Sequence, residues 1–133
     1  MSKKILIVED STTKLGLNLE ASNYQVIEAS TAGEGLTRAL ELKPHLIVMG
    51  MNLPDYTGFE LCGKMRAFFE LKKVPIIIFS SENKLKNMIT AYEMGADYYI
   101  VKNDEGDRVL TLLIETIFTR LSRQNTPIPQ HSA

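Results

Sequence analysis

Val74-Pro-Ile-Ile-Ile-Phe79 is a short run without a single polar side chain, and it ends at Ser80-Ser81. A strand with one wet face alternates polar and apolar residues. An unbroken apolar run of this length is instead a strand covered on both faces, as in the middle of a parallel sheet. Similar runs stand at Lys4–Val8, Leu46–Met49 and Tyr98–Val101. Tyr24–Glu28 is more polar and reads as an edge strand.

Helical patterns separate these runs. Thr12–Ser22 carries Leu15 and Leu19 one turn apart. Thr31-Ala-Gly-Glu34 reads as a capping box, in which hydroxyl and carboxylate satisfy each other's backbone donors. The helix it opens has Leu36, Ala39 and Leu40 on one face, and Pro44 limits its far end. A third helix follows Gly58, with Leu61, Met65 and Phe68 or Phe69 expected inward. A fourth has Leu85, Met88, Ile89 and Tyr92 on one stripe and stops at Gly95. The last carries Leu110, Leu113, Ile114, Ile117, Phe118 and Leu121 on one stripe. The alternation predicts an α/β fold, (βα)5, with a doubly wound parallel five-stranded sheet and right-handed crossovers. In open sheets of this kind the chemistry sits at the carboxyl ends of the strands.

The 133 residues suit one domain, and with 44% hydrophobic residues they can fill one continuous core. The expected organisation is a domain over residues 1–122, followed by a polar, proline-containing tail or linker over 123–133. A net charge of −1 gives no basic field and argues against nucleic-acid binding. Cys62 is the lone cysteine, so no internal disulfide or thiolate metal cluster can form, and a reducing cytoplasm is expected. The four apolar residues Ile5–Val8 after the basic N-terminus are too few for a signal-peptide core, and no run is long enough for membrane insertion.

Complementary chemistry converges at the strand ends: Glu9-Asp10-Ser11, then Met49-Gly50-Met51-Asn52, Ser80-Ser81 and Val101-Lys102-Asn103. Through Ile5-Leu-Ile-Val-Glu-Asp-Ser11, Pro44-His-Leu-Ile-Val-Met-Gly50, Leu53-Pro54 with Gly58, Pro75-Ile-Ile-Ile-Phe-Ser80 and Gly95-Ala-Asp-Tyr-Tyr-Ile-Val-Lys102, the chain resembles the receiver domains of two-component response regulators, of the single-domain chemotaxis type. The resemblance runs from residue 3 to about 121 and implies a flavodoxin-like receiver fold. In that family an aspartate after the third strand accepts a phosphoryl group from a histidine kinase.

Carried over by position, the resemblance makes Glu9 and Asp10 the acidic pair of a metal site, with Asp10 the direct ligand and Asn52 supplying a backbone carbonyl. Ser80 and Lys102 become the phosphoryl contacts, and Tyr99 the aromatic that moves with Ser80. The acceptor position itself falls on Gly50, which has no side chain to phosphorylate. Asp55, five residues on, matches no acceptor position. One anionic ligand is therefore lost, so no cofactor is required and the remaining pair would hold Mg²⁺ only weakly. Asn103 stands where the family has a proline, often cis; a cis bond before a non-proline costs about 2.5–4 kcal/mol.

Each of these residues also has a plainer reading. Ser80 could bond the turn that follows it. Tyr99 could be sheet packing, Asn52 a turn residue and Gly50 a close backbone approach or a positive φ. Cys62 reads as a small buried apolar group, and His45 and His131 belong to no triad. With no nucleophile–base pair, the chain is read as a non-enzyme. The leading expectation is a pseudo-receiver that signals by binding other proteins, a histidine kinase or a downstream adaptor. Such a protein could pair with itself through the fourth helix, fifth strand and fifth helix, a face expected to include Lys84, Lys86, Tyr99 and Glu115. The alternative is a conventional receiver whose acceptor aspartate has been exchanged for glycine.

Overall fold

A computed structural model of the chain describes residues 2–9 and 14–124. Its elements are β1 (Lys4–Val8), α1 (Lys14–Ala21), β2 (Gln25–Ala29), α2 (Ala32–Leu42), β3 (Leu46–Met49), α3 (Gly58–Arg66), β4 (Ile76–Ser80), α4 (Leu85–Glu93), β5 (Tyr98–Val101) and α5 (Gly106–Gln124), with a 3-10 turn at Phe69–Leu71. The five strands form one sheet in the order β2-β1-β3-β4-β5, every pair parallel. This is the flavodoxin-like order, whose direction of winding reverses between β1 and β3.

The unbroken apolar runs feed two cores, one on each face of the sheet. Leu6 and Val8 of β1 point to one side, with Ile47 and Met49 of β3 and Leu61 and Met65 of α3. Ile5 and Ile7 point to the other, with Leu46, Val48, Leu110 and Ile114. Each such side chain, once fully buried, is worth about 1.5–3 kcal/mol.

The elements depart from expectation where a local group overrules the pattern. β4 starts at Ile76 rather than Val74, because Pro75 has no N–H to give the ladder; its carbonyl accepts from Ile47 N–H at 2.9 Å. The polar edge strand begins one residue late, at Gln25. α3 ends at Arg66, so Phe69 is 83% exposed and Leu71 of the 3-10 turn takes the inward place. On α4 most of the stripe faces solvent: Leu85, Ile89 and Tyr92 are 70%, 50% and 50% exposed, while Met88 is half-buried against the core and Ala91 is the fully buried residue of the helix. The expected start of α1 at Thr12 and the tail from residue 125 onward lie outside the described residues, while α5 runs to Gln124.

The Thr31 box forms only in part. Thr31 Oγ1 accepts from Glu34 N–H at 3.1 Å, but the Glu34 carboxylate takes the Ser30 N–H at 2.8 Å instead of that of Thr31. A second cap, Thr57 Oγ1 to Glu60 N–H at 3.1 Å, opens α3.

Arg66, the last residue of α3, ties four segments together. Its guanidinium donates to the carbonyls of Gly95 (2.9 Å), Leu71 (2.7 Å), Lys72 (3.1 Å) and Val74 (2.8 Å), and to Asp97 Oδ2 (2.8 Å). Asp97 Oδ2 also accepts from Ile76 N–H at 2.9 Å, which joins the start of β4 to the start of β5. Arg66→Met is expected to destabilise the fold by about 2–4 kcal/mol, because it strands half-buried carbonyls and a carboxylate. Urea denaturation measures this, and Arg66→Lys should recover only a minor part, since one ammonium cannot reach all five acceptors.

Candidate functional site

The reversal between β1 and β3 opens a crevice at the carboxyl rim. The parallel register pairs Val8 with Met49, so the residues that follow, Glu9 and Gly50, lie side by side. Gly50 N–H donates to the Val8 carbonyl at 2.9 Å, and Glu9 N–H donates across the other side to the Ala29 carbonyl at 2.9 Å. Both backbones are held by sheet-like bonds.

Gly50 is buried and does not have a positive φ; among the described glycines only Gly95 does, at +109°. The reason for glycine here is space. A Cβ built on Gly50 would lie 2.5 Å from Glu9 Oε2, 2.8 Å from Oε1 and 2.9 Å from Cδ. The Glu9 carboxylate therefore occupies the volume into which any side chain at position 50 would grow. The approach is equally tight behind it: a Cβ on Gly58 would run into the Gly50 carbonyl, while Gly58 N–H bonds the Met51 carbonyl at 2.8 Å.

Lys102, just past β5, closes the pair. Its Nζ stands 2.6 Å from Glu9 Oε1 and 5.3 Å from the Phe79 ring centroid, so the ammonium is held between a carboxylate and an aromatic face. The side chains are 35% and 13% exposed for Lys102 and Glu9, and the pair is shielded enough for its attraction to exceed that of a surface contact. Glu9, Met51, Asn52, Phe79, Ser80 and Lys102, together with Ser81, line a cavity of about 230 Å³.

The other expected residues sit around this cavity. Ser80 is buried, and its Oγ accepts from Glu82 N–H at 3.1 Å. Tyr99 is buried as well, and its hydroxyl donates to the Glu82 carbonyl at 2.7 Å. Burial pushes the Tyr99 phenol up from its ordinary value, a hydrogen bond with Ser80 works the other way, and the charge of Glu82 adds to the rise. Tyr99 is thus not part of the exposed face that was expected to include it, because β5 turns its ring inward. Asn52 is exposed at the cavity mouth. Asp10 lies outside the described residues. No peptide bond among the described residues is cis, so Lys102–Asn103 is trans.

No group of three or more His, Cys, Asp or Glu residues with metal-holding geometry exists among the described residues, and the Glu9 carboxylate is already engaged by an ammonium. Cys62 is fully buried, and its thiol is pushed up to about 11, chiefly by burial. His45 Nδ1 accepts from Lys4 N–H at 2.9 Å, which uses the imidazole as a strand-end acceptor.

Asp55 has a role that the sequence pattern does not assign. Its two carboxylate oxygens accept from Ala32 N–H and Gly33 N–H, each at 2.8 Å, and so cap α2 from a distant loop. Desolvation works to raise its carboxyl, but backbone donors of Gly33, Ala32, Asp55 itself and Tyr56 outweigh it and hold the group below the ordinary carboxylate range. A cap supplied from 22–23 residues away leaves no local signature in the sequence.

Comparison with known proteins places these features in context. The chain matches the response regulator receiver domain family over residues 5–114. It is 34% identical to the transcriptional regulatory protein AfsQ1 of Streptomyces coelicolor over 92% of this chain and 54% of that protein. It is 38% identical to the alkaline phosphatase synthesis transcriptional regulatory protein PhoP of Bacillus subtilis over 77% of this chain and 43% of that one. The chain thus spans about half the length of the curated relatives it matches. Among solved structures, a CheY-like receiver domain protein from Methanospirillum hungatei superposes with a TM-score of 0.84 at 30% identity, covering 94% of this chain and all of that one. The chemotaxis response regulator CheY4 of Vibrio cholerae gives 0.79 at 25% identity, covering 86% and 98%.

Two outcomes follow from this geometry. Gly50→Ala is expected to cost less than about 1 kcal/mol in chemical denaturation, because what its methyl displaces from Lys102 is the free end of the flexible Glu9 side chain. Asp55→Ala should lower the melting temperature at neutral pH. The Asp55 carboxyl titrates low in the folded state, so its contribution is present above the ordinary value of about 3.9 and is lost as pH falls through the folded value. The difference between wild type and Asp55→Ala in scanning calorimetry should therefore shrink only on the acid side of about pH 4.

Proposed function

The chain belongs to the response regulator receiver family, and from that premise we propose that it is an atypical receiver, one that signals by contact with other proteins and takes no phosphoryl group. The observation that carries this reading is the Glu9 carboxylate standing in the space of the absent side chain at Gly50. With the acceptor missing and its place taken, no acyl phosphate can form there, and Lys102 already has an anion. The module carries information rather than a reaction. We take the signalling domain to span residues 1–122, with 123–133 as a tail or linker, in the cytoplasm.

The partners we propose are a histidine kinase or a downstream adaptor, with a second copy of the chain as a further one. The face proposed for them is that of α4, β5 and α5. Support comes from the uncovered stripe of Leu85, Ile89 and Tyr92 on α4, flanked by exposed Lys84 and Lys86. Scattered exposed apolar residues are ordinary, but a stripe along one helix favours a contact surface. Tyr99 supports this face from beneath, through the Glu82 carbonyl.

Two measurements test the reading. After incubation with acetyl phosphate and Mg²⁺, intact-mass analysis should show no hydroxylamine-labile adduct; a stoichiometric one sinks the phosphorylation-independent reading. Leu85→Asp combined with Ile89→Asp should leave the circular dichroism spectrum and melting temperature nearly unchanged, since both side chains are exposed. The same variant should abolish self-association seen by light scattering, or weaken a kinase or adaptor complex by tenfold or more, roughly what two contact residues worth above 1 kcal/mol each would contribute. An unchanged complex would move the interface elsewhere.

A further inference from the structure

We infer that the Glu9 carboxylate is a tethered anion that keeps the strand-end cavity closed to free phosphate-like anions, and that withdrawing it turns the cavity into an anion-binding site. The inference deepens the reading above and rests on its first half, that position 50 supplies no acceptor.

The cavity contains what an oxyanion requires. Lys102 provides a fixed cation, restrained by its contact with the Phe79 ring. Ser80 and Ser81 provide hydroxyls at the wall, and Asn52 stands at the mouth. The volume of about 230 Å³ is ample for one tetrahedral anion. Against this, the Lys102 ammonium already has a partner at 2.6 Å, and that partner is largely withdrawn from solvent. A free anion would have to displace a carboxylate attached to the same protein, whose effective concentration at the site far exceeds that of a dissolved ion. It would also meet the negative charge of Glu9 itself inside a shielded cavity, where like charges repel strongly.

The position of Glu9 makes this arrangement specific to glycine. With its Oε2 at 2.5 Å from where a Cβ would stand, the carboxylate cannot rest there beside any other residue at position 50. Gly50 and Glu9 therefore act as a pair: one leaves the gap and the other fills it with charge. A merely structural ion pair would not require that the gap be emptied of a side chain.

The test uses inorganic phosphate as the probe, titrated calorimetrically at constant ionic strength made up with chloride, since surface charges would otherwise respond to salt. Wild type should give no saturable heat. Glu9→Ala, which removes both charge and volume, should bind phosphate about tenfold or more tightly than wild type, the scale of one freed charge-assisted contact. The double variant Glu9→Ala with Lys102→Ala should lose that binding again. Glu9→Gln fills the same volume without charge and covers the case in which Glu9→Ala fails to fold; it should show a smaller gain, and circular dichroism reports folding for each protein. Phosphate binding by wild type equal to that of Glu9→Ala would overturn the inference. So would the absence of any gain in folded Glu9→Ala and Glu9→Gln. These outcomes are separable from the phosphorylation test. An acetyl phosphate adduct on wild type at a carboxylate other than Glu9 removes the proposed function and leaves the tethered anion in place. Failure of the phosphate titration does the reverse.

Discussion

Position 50 must be empty for the rim of this sheet to close as it does. A carboxylate on the residue after β1 and an ammonium on the residue after β5 can meet only across the end of β3, and any Cβ there would stand within 3 Å of the carboxylate. Glycine thus sets which charges face each other. The pair that results is not by itself a strong source of stability, because desolvating two charges offsets most of their attraction. Its consequence is geometric. Lys102 is held between Glu9 and the Phe79 ring, its own N–H bonds the Ser80 carbonyl at 2.8 Å, and the ends of β1, β4 and β5 are fastened to one another.

From Ser80 the constraint passes into the loop that leads to α4. The two backbone groups of Glu82 are both taken: the N–H by Ser80 Oγ and the carbonyl by the Tyr99 hydroxyl. A loop residue gripped at both its donor and its acceptor has few alternative conformations to sample. With Glu82 held from both sides, the loop into α4 is set without any phosphoryl group, which is why we read this surface as permanently set. The reading rests on a closed set of bonds rather than on the missing acceptor alone.

The layout of the fold was legible because burial on both faces of a parallel sheet leaves a strong mark: unbroken runs such as Ile5–Val8 and Leu46–Met49 suit few places in a protein besides the middle of such a sheet. The limits of β4 were less legible, since Pro75 fits the apolar pattern but has no donor for the ladder. Phe69 departs from its expected place for a related reason. Its spacing continues α3, but Arg66 finds five acceptors at the helix end and stops it there. At the rim, the residues that meet could be named from the strand ends, whereas the partner of each could not. Asp55 caps a helix more than twenty residues away, and Glu9 fills the space of residue 50 only because β1 and β3 are neighbours in register. Strand order is a property of the whole chain, and short-range pattern does not contain it.

The α4 stripe shows why spacing alone cannot assign a face. Leu85, Ile89 and Tyr92 fall one turn apart, the pattern of an inward surface, but all three are at least half exposed and the helix buries Ala91 instead. The inward face of α4 is made by Ala91 together with half-buried Met88, and Met94 follows at the helix end. Polar contacts at its ends add to this packing. At the start stands the doubly bonded Glu82; at the finish Ala96 N–H bonds the Ala91 carbonyl at 3.0 Å, and Arg66 grips the Gly95 carbonyl. Leu85, Ile89 and Tyr92 are thus left out of the core, while Met88 takes part in it. The large side chains are then available to a partner, and the cost of leaving them in water is recovered only when one binds. The rim of the sheet and the exposed helix are joined at Ser80, whose carbonyl accepts the Lys102 N–H and whose hydroxyl, with that of Tyr99, holds the Glu82 loop that leads into α4.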